Sequence, residues 1–250
     1  MFFIVWVKQR LIFRQYQQIA FSHCAIIKAM NYHRVSRILS YIIILIGILV
    51  IVGWVLNISW LRSVNPSWVP TKFATAVCFV MAGMVMRCID GVIHDNSEIA
   101  PIFLSMSTLV IIILMSTYLA SKFFQIPVGI EELFISTVVK GEITSEVLQP
   151  STASMLNFII ISIAGIVVLF KPKWFQALLT AVGSFVGLIG FGAIAGYLLN
   201  IPALTFSLGA ISAPMDRLSA FTFILAGLGI FLLGARHIKN PVILKNENQI

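Results

Sequence analysis

The chain has 250 residues, of which 59% are hydrophobic and only 10% charged, with a net charge of +8. So little polar surface excludes a water-soluble globular domain, and the basic residues form no folded face of their own, which argues against a nucleic-acid partner. Three cysteines, Cys24, Cys78 and Cys88, are odd in number and provide no disulfide framework.

Residues 1–37 form a basic cytoplasmic or interfacial segment. FFIVWV, LIF and IAF interleave with Lys8, Arg10 and Arg14, a composition that suits an amphipathic helix lying in the membrane interface. A second reading is that Met30, which opens MNYHRVSR, is the true start; the mass of the native protein separates the two. The apolar stretch 2–7 precedes the basic residues instead of following them, so it is no cleavable signal.

A bilayer core takes about 20 apolar residues per helix. Uncharged runs lie at 38–61, 73–86, 99–121, 147–170, 174–215 and 218–235. The second is short, but Lys72 and Arg87 can snorkel from its ends, so a helix over 70–89 spans. The fifth holds one helix over 174–199, then a loop with Asn200, Pro202 and Pro214. The sequence therefore predicts an all-α integral membrane domain of six transmembrane helices over 38–236, followed by a cytoplasmic tail at 237–250.

Charge orients the spans. With the N-terminus inside, only Arg62, Lys72, Lys122, Lys140 and Arg217 of the 17 Lys and Arg fall outside. The positive-inside rule then places both termini in the cytoplasm, and in a bacterium the membrane is the inner one. The net charge is chiefly a topology signal, with some attraction to anionic lipid.

The even-numbered spans share a pattern. Thr75-Ala76-x-x-Phe79-x-x-Ala82-Gly83 returns as Ser219-Ala220-x-x-Phe223-x-x-Ala226-Gly227, and more loosely as Ser154, Phe158 and Ser162. Pro70, Pro150 and Pro214 precede the three copies, and proline suits a first helical turn. Each Ser or Thr can bond back to an i−4 carbonyl. The repeated positions share one helix face, and small residues there permit close helix packing in lipid. The odd-numbered spans end GWVLNIS (53–59), GYLLNIP (196–202) and, more weakly, TYLASKF (117–123), with Trp54, Tyr118 or Tyr197 expected at headgroup depth and Asn57 or Asn200 as a polar stop. The chain thus reads as three tandem helical hairpins, 38–89, 100–171 and 174–236. Equal orientation of the copies predicts a pseudo-threefold bundle about the membrane normal.

Chemistry-bearing residues are sparse. No span carries an ionisable group in its middle, which argues against an ion-coupled transporter. Asp90 and His94 stand at an i, i+4 spacing that suits a metal, although a solvated loop whose acids offset Arg87 is the simpler account. Gly187, Gly190, Gly192 and Gly196 give the fifth span close-packing or hinge capacity. The long outer loop at 123–150 holds Glu131, Glu132, Glu142 and Glu146. It is the candidate ligand or partner loop, while short interfacial helices capping the bundle are the plainer reading. No residue reads as catalytic, metal-binding or cofactor-binding.

The outward helix ending G-[WY], the loop, and the return helix P-x-x-x-[ST]-A-x-x-F-x-x-A-G resemble the N-terminal multipass membrane module of bacterial sensor histidine kinases and diguanylate cyclases. The resemblance covers about 38–236 and implies a non-enzymatic sensory or signalling role with a membrane or cytoplasmic signalling partner. After Gly234 the sequence reads ARHIKNPVILKNENQI, with no coiled coil, phosphoacceptor His box or cyclase motif. The output domain of that family is thus not seen in this chain. A structural or assembly subunit of a larger membrane complex is the alternative expectation, and a small-solute transporter a weaker one.

Overall fold

A computed structural model describes residues 32–63, 68–93, 98–125, 149–206 and 213–235. The described residues are helical, with six helices long and apolar enough to cross a membrane. In chain order they are α1 (Tyr32–Val55), a single turn α2 (Ser59–Arg62), α3 (Phe73–Ile93), α4 (Ala100–Phe124), α5 (Thr152–Leu169), α6 (Phe175–Leu199) and α7 (Arg217–Ala235), with a 3-10 turn at Pro202–Thr205 before α7. The N-terminal segment to residue 31, both candidate starts and the tail from 236 lie outside the described residues.

The first span begins and ends earlier than its uncharged run suggests. It reaches back through His33, Arg34 and Arg37 and stops at Val55. The stop is local: Asn57 takes a left-handed conformation (φ 56°), and the Ile58 N–H bonds to the Gly53 carbonyl at 2.9 Å. α6 ends in the same way, with Asn200 at φ 53° and the Ile201 N–H on the Gly196 carbonyl at 2.9 Å. Asn tolerates this geometry better than most residues. The glycine of each motif has a separate cause, since the next helical turn folds back on it. A Cβ on Gly53 would lie 2.6 Å from the Leu61 Cβ, and one on Gly196 2.8 Å from the Leu204 Cβ. In the middle copy the helix runs past TYLASKF: α4 continues to Phe124, and Gln125 is its left-handed cap.

The prolines also stand elsewhere than the first turn. α3, α5 and α7 start two or three residues after Pro70, Pro150 and Pro214. Lys72, Ser151 and Asp216 are the residues whose carbonyls accept the first helical bonds. Ser151 and Asp216 have side chains that can cap an N-terminus, which moves the start past the proline.

Consecutive spans pack at very close range. A Cβ on Gly83 would meet the Ser40 carbonyl oxygen at 2.8 Å across the α1–α3 contact. One on Gly227 would lie 2.6 Å from both the Gly183 oxygen and the Gly187 Cα of α6. At the α4–α5 contact a Cβ on Gly165 would meet the Thr108 Cγ2 of α4 at 2.8 Å. Without a hydrophobic drive between helices in lipid, such backbone approach supplies the packing.

Candidate functional site

The repeated phenylalanines meet. Phe79, Phe158 and Phe223 come from three different helices, are all fully buried, and have ring centroids 5.0 Å apart in each of the three pairs. Their tilts of 66°, 57° and 57° suit the ring quadrupoles, which disfavour a face-to-face stack. The small members of the motif, Thr75, Ala76, Ala82, Gly83, Ser154, Ser162, Ser219, Ala220, Ala226 and Gly227, are buried as well.

One turn toward the helix starts, Thr75, Ser154 and Ser219 sit at equal distance from their phenylalanines. A further turn back come the three N-caps Lys72, Ser151 and Asp216, also buried. This collar is held by polar bonds. The Asp216 Oδ2 accepts from the Ser219 N–H at 2.9 Å and from the Thr71 hydroxyl at 2.5 Å, which ties the start of α7 to the start of α3. Ser151 accepts from the Ser154 N–H at 3.2 Å and shares a hydroxyl contact with it at 2.8 Å. The Lys122 ammonium, at the end of α4, donates to the Thr152 hydroxyl of α5 at 3.0 Å.

Two terminal aromatics of the odd spans, Trp54 and Tyr197, bond into this collar. Trp54 is buried, and its Nε1 donates to the Thr71 carbonyl at 2.8 Å. The Tyr197 hydroxyl donates to the Met215 carbonyl at 2.6 Å. Tyr118 is buried in the core. Thr71 and Met215 each lie eight residues before a motif phenylalanine, so the two aromatics grip matching points of the backbone. A buried indole or phenol needs a polar partner, and the carbonyl just ahead of the returning helix supplies it. Arg62 lies 4.8 Å from the Trp54 ring and also bonds Asn57; Arg217 lies between Trp68 and Tyr197, 4.4 and 4.6 Å from their rings. Partial burial pulls Arg62 below its ordinary pKa, although a guanidinium stays charged at neutral pH.

Three buried polar side chains have no partner among the described residues. They are Asn157, with neither amide atom bonded, Ser162 and Ser219. Ser219 therefore does not bond back to its i−4 carbonyl, unlike Thr222, which donates to the Leu218 oxygen at 2.8 Å. Asn157 immediately precedes Phe158 in α5, at the level of the ring contact along the helix. Sequence reasoning passed over it as an ordinary member of an apolar run.

A second polar cluster gathers at the opposite end. Asp90, buried on α3, faces the His33 Nδ1 at 2.5 Å, the Arg87 Nη1 at 3.3 Å and the Arg37 Nη2 at 3.6 Å. Sequence paired Asp90 with His94 instead; His94, like Asp95, lies outside the described residues. The available signal was the i, i+4 pair His33 and Arg37 opposite the i, i+3 pair Arg87 and Asp90. Among the described residues no group of three His, Cys, Asp or Glu could hold a metal ion. Glu131, Glu132, Glu142 and Glu146 lie outside the described residues.

No family model, curated protein or solved structure matches the chain.

Proposed function

We propose that this chain is a multipass sensory module of the bacterial inner membrane, with both termini cytoplasmic. It changes its helix packing and reads out that change through a partner protein. On this reading three hairpins surround an axis through the phenylalanine contact, with the polar collar toward the outside. The observation that carries the reading is Asn157. A fully buried amide without a partner among the described residues costs a few kcal/mol. A second packing that satisfied the amide would lie close in energy, and two packings of similar energy are what a ligand or partner needs in order to shift a population. The collar supports the same reading, because its bonds join the starts of α3 and α7 and would carry a displacement from one to the other.

Asn157→Leu tests the proposal. Replacing an orphaned amide by an apolar side chain of similar size should raise thermal stability in detergent and weaken capture of a signalling partner in mild detergent. Greater stability with partner capture unchanged would remove Asn157 from the mechanism. A stable, stoichiometric complex insensitive to the substitution would favour an assembly subunit. Solute uptake by proteoliposomes of the purified protein would overturn both.

A further inference from the structure

We propose that the α1–α3 surface at their His33 and Arg87 end is a binding site for the headgroup of an anionic phospholipid. The argument begins with charge. Two guanidinium groups, Arg37 from α1 and Arg87 from α3, converge on the single carboxylate of Asp90. His33 joins them: its Nδ1 faces the carboxylate at 2.5 Å, and its Nε2 lies 2.5 Å from the Arg37 Nη2. Two cations against one anion leave one positive charge among these described residues, and exposed Arg34 adds to the field from the same end.

Donor capacity points the same way. A guanidinium carries five N–H groups. Arg87 spends Nη1 on Asp90 and Nε on the Tyr41 hydroxyl at 3.3 Å. Arg37 uses Nη2, while its Nε is shielded and without a partner. Asp90 is too small to occupy the remaining donors of both arginines. Their side chains are also accessible, with relative exposures of 41% for Arg37 and 36% for Arg87, against 6% for Asp90. The carboxylate therefore acts as a buried post that holds two half-open forks side by side, an arrangement that suits phosphate oxygens.

The surroundings select a lipid. Arginines at the end of a span lie at headgroup depth, and basic pockets between transmembrane helices bind anionic headgroups. Below the arginines, Ile38, Tyr41, Ile42 and Leu45 are exposed on α1 and form an apolar strip for an acyl chain. A zwitterionic headgroup would bring its own cation into a site that already has an excess positive charge, so an anionic one is preferred.

Native mass spectrometry of the full chain, titrated with phosphatidylglycerol or phosphatidylcholine, tests the site. Phosphatidylglycerol should bind in preference. Arg37→Gln and Arg87→Gln should each lower that binding about fivefold, the effect of roughly one basic residue near a charged membrane surface, and leave phosphatidylcholine unchanged. Lys173→Gln removes the same charge from the exposed turn between α5 and α6 at the same end, outside the proposed site, and should change binding less than twofold, because a charge's influence falls off within a Debye length. Arg37→Lys keeps the charge without the fork, so it should lose part of the preference in a protein of unaltered helicity. Equal binding of the two lipids, or an equal loss with Lys173→Gln, would overturn the site in favour of diffuse attraction. Displacement of the lipid by excess inorganic phosphate would overturn the lipid as its occupant.

Discussion

The glycines show how much a single position depends on what faces it. Gly227 faces α6 backbone, with the Gly183 oxygen and the Gly187 Cα both within 2.6 Å of a would-be Cβ. Backbone cannot rotate away as a side chain can, so Gly227→Ala should destabilise the bundle by about 1–3 kcal/mol through overpacking. Gly192, in the same glycine-rich run of α6, faces nothing within 4 Å, and Gly192→Ala should stabilise by up to about 1 kcal/mol through helix propensity alone. Unfolding of both variants in detergent checks the pair, and equal effects would refute the contact. The run FVGLIGFGAIAG thus contains glycines of different kinds, which its composition cannot separate. Burial likewise sorts the ionisable residues: Lys72, Asp90 and Asp216 all lie near span ends yet are buried.

At the scale of the element, the ends are set by local chemistry. Sequence located the later spans well because their apolar runs are bounded by charge and proline, and α5, α6 and α7 fall within a few residues of the expected limits. The uncharged run overshoots the end of α1, because hydropathy continues through a break made by one backbone dihedral, whereas the GWVLNIS motif with Asn57 as its stop falls at that break. The motif Gly-aromatic-x-x-Asn encodes that break: the glycine admits the turn that folds back, the asparagine takes the positive φ, and the aromatic bonds the backbone ahead of the next helix. A β-branched residue at position 200 would be strained, and Asn200→Val should cost about 1–2 kcal/mol. Asn200→Gly should be nearly neutral or slightly stabilising. The ratio of the two, read from thermal unfolding, tests the left-handed cap. A similar cost for both would show that the amide is needed for its side chain and not for its backbone.

For the whole molecule the phenylalanine contact is the joint among α3, α5 and α7. Each Phe→Ala change opens a cavity in a fully buried place and should cost about 3–5 kcal/mol. The informative quantity is the coupling. Because every ring touches the other two, each of the three double-mutant cycles should give an interaction energy of about 0.5–3 kcal/mol. Additive effects in any one pair would mean that the rings do not share a common contact. The two polar ends complete the plan: one stitches helix starts through Asp216 and Thr71, while the other joins α1 to α3 through Asp90.

The sequence by itself determined the membrane class, the count of six spans and the face that each returning helix presents, because hydropathy and a period of 3.6 are local properties of the chain. It also singled out Phe79, Phe158 and Phe223, although it could say only that each fills a gap between neighbours. Tertiary structure alone decided that the three rings touch one another, that Trp54 and Tyr197 turn inward to bonded carbonyls, and that Asp90 meets His33 and Arg37 from a helix some fifty residues earlier. Contacts of this kind depend on how helices come together in space, and residue types and spacings along one helix leave that arrangement open.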